Sequence, residues 1–156
     1  MNSFEGNMNA AGKRFAVVVS RWNEFVTKQL LEGALAELAR HGEPEVDVVH
    51  VPGTWEVPAA IRALLERPDR PDGVLALGCI LQGQTTHARL LGADVSSALS
   101  QLQIEYGVPI AWGILTPETM DQALDRSGLK LGNKGREAAL AAIEMADLLA
   151  QIRSRG

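Results

Sequence analysis

Gly83, Gln84, Thr85, Thr86 and His87 stand in a row between an apolar run, Gly73 to Leu81, and an amphipathic pattern from about Thr86 to Tyr106. A strand that feeds a glycine-containing loop and then a helix leaves free backbone N–H groups at the helix start, where an anion can bind. His87 sets a titratable imidazole beside them, a side chain suited to taking and giving protons. The combination implies chemistry on a small phosphorylated molecule. Glycine and threonine also serve as ordinary caps where any loop enters a helix, and a histidine in a first turn can simply donate to a nearby carbonyl. What favours the functional reading is the position of the loop at the end of a strand.

Other side chains could complete such a site. All three tryptophans, Trp22, Trp55 and Trp112, fall at or near expected strand ends in a chain with only 4% aromatic residues. Either they fill core and interfaces, or they stack on a flat heterocycle. Glu56 sits near a helix start, which suits an acid structurally, and could equally accept hydrogen bonds from sugar hydroxyls. Arg126 and Lys134 read as solvated helix-end cations unless a phosphate lies near them. His41 and His50 have no comparable surroundings and read as surface or packing residues. The lone cysteine, Cys79, lies in an apolar strand and reads as a buried, inert thiol. No Cys, His and carboxylate cluster has ligand spacing, so no metal site is expected.

Alternating elements must hold these groups. Phe15 to Val19, Val46 to Val51, Gly73 to Leu81 and Val108 to Leu115 read as strands. The first helix has Asn23 as a plausible N-cap, an apolar face from Phe25 through Leu38, and Gly42 as its stop. Thr54 is available to cap a second helix, with Pro58 in its first turn. The third helix turns Leu90, Leu91, Val95, Leu99 and Leu102 to the core and ends at Gly107. Thr116-Pro117-Glu118 reads as a helix opening. A glycine-rich break at 128–135 precedes a last helix over about 133–152. This order predicts an α/β fold: a three-layer α/β/α, flavodoxin-like domain with a four-stranded parallel sheet and helices on both faces. Ligands of such sheets bind beyond the carboxyl ends of the strands, where four of the connecting loops should converge.

The length of 156 residues suits one domain, and 46% hydrophobic with 22% charged residues is ordinary for a globular chain. A net charge of -4 provides no basic footprint for nucleic acid. No apolar run reaches a membrane span, and Met1 to Gly12 has no signal-peptide core, so a cytoplasmic location without membrane contact is the default expectation.

Four motifs resemble those of 6,7-dimethyl-8-ribityllumazine synthase, the penultimate enzyme of riboflavin biosynthesis. They are Ser20-Arg-Trp-Asn23, Pro52-Gly-Thr-Trp-Glu-Val-Pro58, Gly83-Gln-Thr-Thr-His87 and Asp125-Arg-Ser-Gly-Leu-Lys-Leu-Gly-Asn-Lys-Gly135, in family order across nearly the whole chain. The resemblance implies a transferase that condenses 5-amino-6-(D-ribitylamino)uracil with 3,4-dihydroxy-2-butanone 4-phosphate, releasing phosphate and water without a cofactor. It implies that Trp22 stacks on the pyrimidine, that Thr54, Trp55 and Glu56 bind the ribityl chain, and that Ile80 and Leu81 line the ring site. Gly83, Gln84 and Thr85 would hold phosphate with Arg126, and His87 would transfer protons. Trp112, Arg126 and Lys134 would come from an adjacent subunit.

The same resemblance implies a homopentamer, built into a 60-subunit icosahedral shell, with riboflavin synthase as a candidate partner. Residues 1–12 would be an arm that pairs with a neighbouring subunit, and 13–156 the single domain. Two positions depart from the family pattern: Gln82 where a cation is usual, and Arg89 where an acid follows the histidine. They leave open an alternative, a weakly active or non-catalytic paralogue that forms shells or binds lumazine or flavin.

Overall fold

The computed structural model of the chain describes residues 1–84 and 87–154, and of Gln84 the backbone only. Four parallel strands form one sheet: β1 (Arg14–Ser20), β2 (Glu45–Val51), β3 (Gly73–Cys79) and β4 (Ile110–Leu115), in the order β2-β1-β3-β4. β1 and β3 are the central pair, with Val17 beside Leu75 and Val19 beside Leu77. Every residue of β3 is buried, as a central strand covered on both faces requires. β2 lies at the edge and places Glu45 and Asp47 toward water, charges that discourage unwanted strand pairing.

Helices cover both faces. α1 (Glu24–Arg40) and α5 (Lys134–Ser154) lie on one side, α2 (Val57–Leu65) and α3 (Ala88–Tyr106) on the other, and short α4 (Met120–Asp125) follows β4. Side-chain alternation along the strands divides the core accordingly. Phe15, Val17, Val19, Leu75 and Leu77 meet α1 and α5, whereas Ala16, Val18, Val74 and Ala76 meet α2 and α3. α5 approaches α1 closely because Gly135 rests on the Leu30 carbonyl, where a Cβ would collide. Ala138, Ala139, Ala142 and Ala146 carry that close packing along the helix. The expected three-layer, flavodoxin-like arrangement is therefore the observed one, in the strand order of that fold. No helix among the described residues is long and apolar enough to cross a membrane.

Several local expectations are corrected. Asn23 occupies the α1 N-cap position but in left-handed conformation, φ 61° and ψ 47°, and its side chain does not cap. Its Nδ2 instead donates to the Cys79 carbonyl at 3.0 Å, tying the β1–α1 junction to β3. Thr54 is not the cap of α2; it lies inside a single 3₁₀ turn, Thr54–Glu56, with its side chain buried. The helix expected at Thr116 opens later, where Thr119 Oγ1 accepts from Gln122 N at 3.2 Å. Leu90 and Phe25 point to water rather than the core. β3 ends two residues early, at Cys79, although Ile80 N still donates to the Leu115 carbonyl of β4.

The amino-terminal segment lies along its own α5. Asn7 N donates to Asp147 Oδ2 at 2.8 Å, and Gln151 Nε2 donates to the Glu5 carbonyl at 2.7 Å. His41, read as a surface or packing residue, joins this segment to α1: its ring contacts the Met8 carbonyl at 3.2 Å and Glu37 Oε1 at 2.9 Å.

Candidate active site

The crossovers leave β1 and β3 in opposite directions, which opens a crevice between their carboxyl ends. A pocket of about 450 Å³ occupies that crevice. Its walls come from three junctions that are far apart in sequence. The β1–α1 turn supplies Trp22 and Asn23, the β2–α2 turn supplies Gly53, Thr54, Trp55 and Glu56, and the end of β3 supplies Cys79, Ile80 and Leu81. Leu91 of α3 completes it.

Local geometry explains the aromatic side. Arg21 N and Trp22 N donate to the Val51 and Pro52 carbonyls at 2.9 and 3.1 Å, which locks the β1 and β2 exits together. Trp22 is exposed and rests over Gly53; a Cβ there would stand 3.2 Å from Trp22 Cδ1 and 3.1 Å from Glu56 Oε2. Glu56 Oε2 accepts from Gly53 N at 3.0 Å, so one carboxylate oxygen is held by backbone and the carboxylate is oriented. Trp55 is exposed on the rim, while Ile80 and Leu81 are buried behind it. An exposed indole above an aliphatic wall can sandwich a flat ring, and the oriented carboxylate can accept hydrogen bonds from hydroxyls. Burial pushes the Cys79 thiol up to about 11, so it stays neutral and contributes only apolar surface near pH 7.

His87 is the N-cap residue of α3, and its carbonyl accepts from Leu91 N at 2.9 Å. Leu91, one turn along, lines the pocket, whereas His87 is exposed and is not among the residues that line it. Gly83 belongs to a 3₁₀ turn, Gln82–Gln84, next to the β4 exit. Gln82 N donates to the Pro117 carbonyl at 3.0 Å, and Gln82 Nε2 to the Thr116 carbonyl at 2.8 Å. The Gln82 side chain is thereby used in holding the loop. Thr85 lies outside the described residues, as does the side chain of Gln84.

Trp112, Arg126 and Lys134, like Gly83 and His87, do not line this pocket within one chain. Trp112 is not at a loop edge; it lies inside β4, half-buried on the α3 side. Arg126 is exposed at the end of α4, and Lys134 opens α5. The loop between them is tightly organised: Lys134 N donates to the Arg126 carbonyl at 2.9 Å, and Asn133 Oδ1 accepts from Arg136 N at 3.1 Å. Asn133 Nδ2 also donates to the Gln29 carbonyl at 2.9 Å. Arg126 and Lys134 are thus joined through their backbones, and neither lines the pocket of its own chain.

The pocket also includes residues not proposed from sequence as site groups: Asn23, Gly53, Cys79 and Leu91. Asn23 and Gly53 belong to motifs recognised there, but periodicity carries no sign that a residue read as a cap or turn also forms a wall. Among the described residues, no cluster of three His, Cys, Asp or Glu side chains could hold a metal ion.

Residues 12–150 match the profile of the family described as 6,7-dimethyl-8-ribityllumazine synthase. A curated relative, the 6,7-dimethyl-8-ribityllumazine synthase of Desulfotalea psychrophila (strain LSv54 / DSM 12343), is 45% identical over 150 residues, covering 95% of this chain and 96% of the relative.

Proposed function

The chain belongs to the 6,7-dimethyl-8-ribityllumazine synthase family, and we propose that the pocket between β1 and β3 is where it carries out that family's reaction. It condenses 5-amino-6-(D-ribitylamino)uracil with 3,4-dihydroxy-2-butanone 4-phosphate, releasing phosphate and water, as a step of riboflavin biosynthesis. The observation that carries the site assignment is the convergence of Trp22, Thr54, Trp55, Glu56, Ile80 and Leu81 on one cavity. An indole above an aliphatic wall suits the pyrimidine, and the oriented Glu56 with buried Thr54 suits the ribityl hydroxyls.

The chemistry asks for proton transfers and for control of a leaving anion. The amine attacks the ketone, water departs, phosphate departs, and the ring closes. His87 takes and returns protons through these steps. Gly83, Gln84 and Thr85 hold the phosphate near the start of α3, where backbone N–H groups favour an anion. Arg126 from a neighbouring subunit neutralises the phosphate as it leaves. Holding both reactants together supplies much of the acceleration, because the amine is already nucleophilic.

The family functions as oligomers of this kind of chain. The finer assembly proposed is a pentamer, built into a 60-subunit shell, in which each pocket receives Trp112, Arg126 and Lys134 from its neighbour. That none of the three lines the pocket of its own chain supports that reading. A cytoplasmic setting, and riboflavin synthase as a protein partner, are further parts of the proposal.

Mixing the two substrates with the protein and following lumazine fluorescence tests the activity. His87→Ala should lower turnover about 10²- to 10⁴-fold while light scattering shows the same assembly. A wild-type protein that forms no lumazine, or one that scatters as a monomer, would refute the proposal of a shared catalytic pocket.

A further inference from the structure

Ser20 closes β1 with its side chain in the core, 1% exposed, and among the described residues its Oγ is the buried side-chain oxygen without a hydrogen-bond partner. A buried hydroxyl in that condition opposes folding, so its presence calls for a reason. The strand offers no local one: the preceding positions, Phe15 to Val19, are all apolar. Ser20 continues the face of Ala16 and Val18, toward α2 and α3. One step beyond the Val19–Leu77 pair, it stands beside Gly78 of β3. A Cβ at Gly78 would lie 2.9 Å from Thr54 Oγ1, 3.1 Å from Ser20 Oγ and 3.5 Å from Ile114 Cγ1. The two hydroxyls therefore converge over a bare glycine. Thr54 lines the pocket, and Ser20 stands one layer behind it.

We propose that Ser20 is a positioning residue for the hydroxylated chain of the substrate: it donates to Thr54 Oγ1 in the liganded protein, so that Thr54 directs its own proton into the pocket toward a ligand hydroxyl. This rests on the assignment of the pocket to the ribitylated pyrimidine. A threonine hydroxyl has one proton and two acceptor lone pairs. With no donor behind it, the hydroxyl turns freely; with Ser20 donating, one lone pair is engaged and the proton is aimed outward. Two hydroxyls in series also polarise each other in a site of low dielectric. A change of the Ser20 χ1 rotamer is the movement the bond requires, since both oxygens border the same point. Gly78 is the enabling residue, because any side chain there would separate them.

Ser20→Ala distinguishes positioning from mere structure, because the two roles move stability and binding differently. Removing an unpartnered buried hydroxyl should raise the Tm of the unliganded protein by about 2–4 °C. The same change should weaken binding of the ribitylated lumazine product, followed by fluorescence titration, about three- to tenfold. A lumazine with a plain alkyl chain in place of ribityl should bind wild type and variant alike. The double variant Ser20→Ala/Thr54→Ala should lose no more affinity than Thr54→Ala alone, as expected for groups acting in series.

Unchanged affinity of Ser20→Ala for the ribitylated ligand would overturn the role given to Ser20. So would an equal loss for the alkyl analogue, or losses that add in the double variant. Wild-type protein that fails to bind the ribitylated ligand would refute the pocket assignment itself, and this inference with it.

Discussion

Replacing Glu37 with glutamine should remove about 2 kcal/mol of stability at pH 7, and progressively less in acid. Glu37 is a carboxylate on the face of α1 that meets α5, with its side chain only 4% exposed. Oε2 accepts from Arg40 Nη1 at 2.6 Å and from Arg136 Nε at 3.1 Å, while Oε1 lies 2.9 Å from His41 Nε2. Glutamine keeps the shape but has one acceptor oxygen, and its amide N–H would face a donor. A well-shielded hydrogen bond to a charged group contributes about 1.5–3 kcal/mol. Here the Arg40 and Arg136 side chains are 62% and 53% exposed, so water screens them, whereas His41 at 23% is better shielded. One shielded bond and two screened ones give about 2 kcal/mol, or a Tm lower by about 4–8 °C for a chain of this size.

The pH dependence follows from the same contacts. Burial by itself would raise the Glu37 carboxyl, but the His41 hydrogen bond and the charges of Arg40 and Arg136 together hold it below the usual carboxylate range. A depressed carboxylate stabilises the fold above its unfolded pKa, and that contribution is lost as pH falls through the folded value. The gap between wild type and Glu37→Gln should therefore be complete near neutrality and close progressively below about pH 4.3. Paired thermal melts across this range read it directly. Equal Tm values at pH 7, or a gap that persists undiminished in acid, would refute the reasoning.

Gly135→Ala should destabilise by about 1–3 kcal/mol, because its Cβ would strike the Leu30 carbonyl and force α5 away from α1; denaturant midpoints measure this, and no shift would show that the helices separate freely. Cys79 should resist thiol reagents at pH 7 in the native state and react on unfolding, since it is buried with its thiol pushed up to about 11; rapid native labelling would contradict the pocket geometry. Arg126→Ala should raise the KM for the phosphorylated four-carbon substrate by at least tenfold, the scale of one charge-assisted hydrogen bond, with little change for the pyrimidine; equal effects on both would place Arg126 elsewhere in the mechanism.

Much of the architecture is local and therefore legible. Phe15 to Val19 and Gly73 to Leu81 are apolar runs short enough to be strands, and their alternation already divides them between two helical layers. Gly107 stops α3 in left-handed conformation, φ 65°, as a glycine after a helical pattern suggests. The errors came where a residue's best partner is remote. Asn23 looks like a cap, but the Cys79 carbonyl, 56 residues away, takes its side chain. Thr54 looks like a cap as well, yet its hydroxyl is buried against Gly78. Leu90 fits a helical apolar stripe, and only the packing of α3 on the sheet decides that it faces outward.

By itself the sequence determined the element order and the two-sided core, because each depends on periodicity or neighbours within a few positions. Tertiary structure alone decided that three separated junctions share one pocket, that Ser20 and Thr54 both border Gly78, and that Arg126 and Lys134 do not line that pocket. Such juxtapositions come from sheet order and helix packing, in which the contacting groups are brought together by burial of surfaces distant along the chain.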